Sequence, residues 1–127
     1  MEEPLFLSKE EILAYHSQQM LLFGGSPGIG DAGLLESALV QPQNVHLYSP
    51  QADLFDIAAA YAFHLAKNHP FNDGNKRTAL QAALSFLVIN GLQTVVSQDV
   101  LYEAMIRLTI GAWSKDEFAE FLRSHAN

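Results

Sequence analysis

Apolar and polar positions follow each other along this chain with a helical period in almost every segment. Ile12, Leu13, His16, Met20 and Leu21 form the first stripe, and Ser8 with Glu11 three residues later forms a capping box ahead of it. The pattern predicts a helix to about Phe23, stopped by Gly24-Gly25-Ser26-Pro27-Gly28. That glycine-rich piece follows a helix and lacks a Gly-Lys-Ser/Thr ending, so it reads as a connector, not a phosphate cradle. Asp31 caps a second helix through roughly Val40, with Leu34, Leu35, Ala38 and Leu39 inward, and Pro42 is expected to end it. Residues 43–51 carry Val45, Leu47 and Tyr48 between Pro42 and Pro50 and read as an irregular or β-like flap, with His46 as a surface histidine.

The next two segments are apolar on nearly every side. Asp53 opens a helix to about Asn68, and a second one runs from about Asn75 to Asn90, with Gly91 just beyond it. Helices of this kind belong in the middle of a fold. The tail returns to amphipathic patterns. Ser97 or Asp99 starts a helix carrying Leu101, Ala104, Met105 and Leu108, and Gly111 ends it. Ser114 and Glu117 form another capping box before Phe118, Phe121 and Leu122. Only Thr94-Val95-Val96 reads as extended. The expected architecture is all-α: a compact single-domain bundle of about six helices over residues 1–127, with a short flap before the central helix.

Composition narrows the function classes. The 127 residues are 49% hydrophobic and include no Cys, so a packed core is affordable and neither disulfide nor thiol chemistry is available. The start, Met1-Glu2-Glu3-Pro4, lacks the basic and apolar regions of a signal peptide, and no apolar run is long enough to span a membrane. A cytoplasmic location is the expectation. A formal charge of −7 argues against a nucleic-acid binder with a broad basic face. Yet Lys67, Lys76 and Arg77, three of the seven basic residues, fall close together.

That concentration surrounds His69-Pro70-Phe71-Asn72-Asp73-Gly74-Asn75-Lys76-Arg77, between the two most apolar helices. Polar groups held between buried elements are costly unless partnered or used. Pro70 disfavours the α region for His69, so the first helix should end at that histidine. Gly74 lets the chain turn and approach a ligand closely. Asn75 and Lys76 open the next helix, whose N-terminus is an anion site. Asp73 is a hard oxygen ligand suited to Mg²⁺ shared with a nucleotide, and His69 is a side chain suited to proton abstraction near neutral pH. Base, metal ligand and phosphate clamp together point to transfer of a phosphate-containing group onto a hydroxyl. Taken singly, the His reads as a cap, the Asp-Gly as a turn and the Lys-Arg as a solvated pair.

The same nine residues resemble the signature loop of the Fic/Doc family, His-Pro-Phe-x-(Asp or Glu)-Gly-Asn followed by Gly-Arg in the Fic enzymes. Lys76 stands in place of that Gly, and Leu80 stands where Fic enzymes carry a second Arg. Both departures are those of the Doc branch, the toxins of phage and plasmid addiction modules. The Gly24-Gly25-x-Pro27-Gly28 turn, Asp53-Leu54-Phe55 and Thr78-Ala79-Leu80 extend the likeness over nearly the whole chain. The resemblance implies a toxin that transfers the γ-phosphate of ATP to a threonine of elongation factor Tu and arrests translation. It implies His69 as general base, Asp73 as the Mg²⁺ ligand, and Gly74, Asn75 and Lys76 as phosphate holders. Arg77 would act on phosphate or brace the loop, and residues 43–51 would be the flap that aligns a target peptide. No Glu is followed by Gly or Asn, so the self-inhibitory motif of many Fic enzymes is absent. The resemblance then implies a separate antitoxin whose C-terminal helix occupies a groove. Two alternatives stay open at this stage: AMP transfer to a protein hydroxyl, and a non-catalytic partner-binding module.

Overall fold

A computed structural model describes residues 3–127, and six helices carry them: α1 (Lys9–Phe23), α2 (Ala32–Tyr48), α3 (Leu54–Asn68), α4 (Asn75–Ile89), α5 (Gln98–Thr109) and α6 (Lys115–Ser124). The all-α architecture expected from periodicity is therefore what the chain adopts. Local capping accounts for most of the boundaries. Ser8 and Glu11 cap α1 reciprocally, Ser114 and Glu117 do the same for α6, and Asp53 with Asp56 forms a third such pair at α3. Single side-chain caps from Asp31 and Ser97 start α2 and α5. Each cap satisfies amide groups that the first helical turn leaves without partners.

Helix α3 is the central element and packs against α2, α4, α5 and α6. Its run Ile57 to Ala62 is wholly buried, as the all-round apolar pattern requires. Small side chains at Ala58, Ala59, Ala60 and Ala62 let neighbouring helices approach, while Tyr61 fills the space towards Phe86, ring centroids 5.3 Å apart. The Tyr61 hydroxyl oxygen accepts a hydrogen bond from the Leu7 amide at 2.9 Å. Burial pushes its pKa up to about 12, so the chain ahead of α1 is tied to the core by a neutral phenol. Arg123 of α6 donates to both carboxylate oxygens of Asp53, at 2.9 and 3.0 Å, and so fastens the last helix to the start of α3.

The expected flap before the central helix is not there. Pro42 lies inside α2, which continues to Tyr48 before the Ser49 cap. Proline removes one helical hydrogen bond and costs about 3 kcal/mol in a helix interior. Here its ring is buried on the same face as Leu35 and Ala38, so packing outweighs that cost. Val45 packs against the core in the segment expected to be irregular, and the His46 ring is half-buried, 6.0 Å from Phe6. Two inward assignments also change. Leu21 is 88% exposed, because it lies nine residues after Ile12, about half a turn round the helix from the buried face. Leu34 is exposed because Leu35, not its neighbour, lines up with Ala38 and Pro42. The extended segment at Thr94 is a single antiparallel bridge to Ala126.

One pair on α3 and α6 carries a pH signature. His64 Nε2 lies 3.4 Å from Lys115 Nζ, and the neutral ring nitrogen accepts from the ammonium. Burial first, then the charges of Lys115 and Lys67, push the His64 pKa down to about 4. The unfolded chain titrates its histidines near 6.5, so between those values it binds a proton that the folded chain refuses. Stability contributed by neutral His64 is complete above about pH 6.5 and is lost as pH falls towards 4. Because the side chain is only half-buried, solvent screening reduces the effect to about 1–2 kcal/mol. Denaturant titrations at about pH 7 and about pH 5 read this loss, and His64→Leu should show a smaller drop between the two.

Candidate active site

The loop between α3 and α4 begins where α3 stops. His69 caps the helix in the left-handed region, φ 52° and ψ 53°, the one non-glycine residue with positive φ among those described. The steric demand of Pro70 excludes a further α-helical residue, and the left-handed turn meets it while the His69 amide still donates to Leu65 O at 3.3 Å. Such a conformation costs roughly 1–2 kcal/mol outside glycine. It turns the Pro70 carbonyl towards the α1–α2 connector, where it accepts from the amides of Gly30 (2.8 Å) and Asp31 (3.0 Å).

That connector lies along the whole loop. Asn72 N–H donates to Gly28 O at 3.2 Å, its side-chain amide donates to Pro27 O at 3.1 Å, and Ile29 forms an antiparallel bridge with Phe71. Ser26 N–H points at Asp73 Oδ2, 3.3 Å away. A Cβ on Gly25 would stand 2.7 Å from that same oxygen, at a φ of +121° that suits only glycine, so this approach needs a glycine. The segment beside the signature loop is thus residues 25–31, not 43–51. No local pattern shows what it packs against, because its partners are about forty residues away in sequence.

Inside the loop the side chains divide into anchors and exposed groups. Phe71 is buried and stacks on His16 of α1, centroids 3.9 Å apart and planes 8° from parallel. Asn75 is buried too. Its Oδ1 accepts from Phe71 N–H at 2.9 Å and its Nδ2 donates to Phe71 O at 3.0 Å, so the side chain braces the loop. His69, Asp73 and Lys76 are exposed around the mouth of the loop. Arg77 turns away from it: its guanidinium lies 3.8 Å from the Phe23 ring centroid and 4.7 Å from that of Tyr102. It lines a groove of about 650 Å³ between α1, α4 and α5, shared with Gln18, Leu22, Leu84 and Tyr102.

The start of α4 differs from every other helix start described. The five others have side-chain caps, while Gly74 at φ 76° leaves α4 with none. The unpaired first-turn amides and the positive end of the helix dipole therefore face the loop, and Lys76 adds a cation that makes no ion pair among the described residues. A cation in a first turn is unfavourable without an anion to offset it. Asp73 Oδ1 accepts from Gly74 N–H at 2.9 Å and Oδ2 from Ser26 N–H at 3.3 Å, and the exposed carboxylate keeps further lone pairs with which to meet a cation. No cluster of three metal-ligating side chains occurs among the described residues. One carboxylate completed by phosphate oxygens and water is an ordinary Mg²⁺ donor set, so Asp73 fits a metal shared with a nucleotide.

Sequence reasoning missed His16. It is 4% exposed on α1, and its Nε2–H donates to the Asp73 carbonyl at 2.8 Å. The available signal was a titratable ring at a core position of the first stripe.

A loop of this composition, held between two buried helices and facing an uncapped helix start, defines a class, and comparison with known families agrees. The Fic/DOC family profile matches residues 6–87, and the chain belongs to that family. It is 40% identical to the protein kinase Doc of Escherichia phage P1 over 106 residues, 84% of this chain and 80% of the relative. It is 43% identical to the toxin Doc of Mycolicibacterium smegmatis over 96 residues, 75% of this chain and 72% of the relative.

Proposed function

We propose that this chain is a Doc-like toxin that transfers the γ-phosphate of ATP to a hydroxyl of a protein, with a threonine of elongation factor Tu as the target and translation arrest as the consequence. The observation that carries the reading is the uncapped start of α4 with Lys76, set beside exposed His69 and Asp73. The names of the two relatives, a kinase and a toxin, support it. The target oxygen attacks the γ-phosphorus and forms a new P–O bond. The bond from that phosphorus to the β,γ-bridging oxygen breaks, and ADP leaves. His69 accepts the hydroxyl proton as the new bond forms. The α4 amides and Lys76 hold phosphate oxygens and stabilise charge in transfer. Mg²⁺ held by Asp73 would neutralise phosphate charge when bound. The connector at residues 25–31, already bridged to the loop through Ile29, is placed to align an extended target segment.

Control is assigned to a separate antitoxin with a C-terminal helix. The α1–α4–α5 groove is its candidate seat, since it is open, mixed apolar and polar, and bordered by exposed Leu22 and Phe23. No described helix is long and apolar enough to cross a membrane, and a cytoplasmic site of action accords with that.

ATP labelled at the γ- or the α-phosphate, incubated with elongation factor Tu and the chain, tests the reaction. Threonine-bound label should come from the γ position. Label arriving only from the α position would replace this reading with AMP transfer.

A further inference from the structure

The peptide unit joining Asp73 to Gly74 is held at both ends. Its carbonyl oxygen accepts from His16 Nε2–H at 2.8 Å, and its N–H donates to Asp73 Oδ1 at 2.9 Å. A carbonyl only accepts, so this bond requires the proton of a neutral ring to sit on Nε2. The histidine itself is held on two counts: it is 4% exposed and it is stacked on Phe71.

We infer that His16 is a positioning residue for phosphate transfer: it locks the Asp73–Gly74 peptide with its carbonyl held by α1, away from the anion site, and its N–H on the Asp73 carboxylate. The inference rests on the kinase reading for its activity arm only. Gly74 is the residue type that permits both orientations of that peptide, because it adopts positive and negative φ about equally well. A flip would turn the carbonyl oxygen, with its partial negative charge, towards the phosphates. It would also free Oδ1 from the N–H that now orients the Asp73 carboxylate. The lock comes from α1, so the helix that lines the Arg77 groove through Gln18, Leu22 and Phe23 also steadies the loop through His16.

Two substitutions separate donor from ring. His16→Phe keeps a ring to stack on Phe71 and loses the donor. His16→Gln keeps a side-chain N–H of similar reach and loses the ring. Loss of one hydrogen bond worth about 1.4 kcal/mol corresponds to roughly a tenfold effect. His16→Phe should therefore weaken MgADP binding by about tenfold, read by calorimetry, and lower kcat by at least as much, with the KM for the protein substrate little changed. His16→Gln should recover most of both. Wild-type MgADP affinity in folded His16→Phe would overturn the inference, and so would equal losses in both variants at unchanged melting temperature. Should His16→Phe fail to fold, the unsubstituted chain still decides: ¹⁵N spectra of its imidazoles should find His16 protonated at Nε2, and an Nδ1–H tautomer overturns the lock. A wild-type chain that binds MgADP but transfers no phosphate would refute the kinase reading alone, and the binding constants would still judge His16.

Discussion

His69→Ala should reduce phosphate transfer by about 10²–10⁴-fold, the usual contribution of a positioned general base. It should do so without unfolding the protein. The His69 side chain is exposed and makes no hydrogen bond among the described residues, while its backbone amide bond to Leu65 survives the substitution. Surface changes of this kind stay within about 0.5 kcal/mol, or roughly 2 °C in Tm for a chain of this size. Initial rates with γ-labelled ATP measure the first effect and a thermal melt the second. Growth of cells expressing the variant adds a third readout. Restored growth accords with catalysis, whereas undiminished toxicity would mean that the loop acts by binding alone.

Lys76→Gly should change which phosphorus is attacked. In the unsubstituted chain Lys76 occupies the second position of α4, exposed and without a carboxylate partner among the described residues. A charge-assisted contact to phosphate is worth about 1.5–3 kcal/mol, so its loss should lower γ-transfer by roughly 10–100-fold. Glycine also removes bulk at the helix start, where a nucleotide in the opposite orientation would need bare backbone. Label from the α position should then appear on the target. Lys76→Met divides these two causes. It removes the charge and keeps the bulk, so γ-transfer should fall with no gain of α-transfer. If Lys76→Gly and Lys76→Met behave alike, steric exclusion is not what selects the orientation. Glycine costs about 1 kcal/mol in helix propensity, too little to unfold the chain.

Helix positions were legible because capping is local chemistry. Ser8 with Glu11 and Ser114 with Glu117 are each three residues apart, and their hydrogen bonds need nothing from the remainder of the chain. The centrality of α3 and α4 was legible too, since a helix apolar all round has no other place to go. Pro42 misled for the opposite reason. Its intrinsic cost is a property of the residue, but burial beside Leu35 and Ala38 is a property of the neighbours, and the neighbours won. The same applies to the segment lying on the signature loop. Gly28, Gly30 and Asp31 bond to residues 70 and 72 across a separation that no local pattern encodes.

The nine-residue loop was thus legible in the sequence alone: an imidazole, a carboxylate, a glycine turn and a lysine at a helix start. Tertiary structure decided what each side chain does with its reach. It turned Asn75 inward to brace Phe71, sent Arg77 between Phe23 and Tyr102, and brought His16 onto the Asp73 carbonyl. Residue type sets what a group can do; the direction in which it points depends on packing partners that lie elsewhere in the chain.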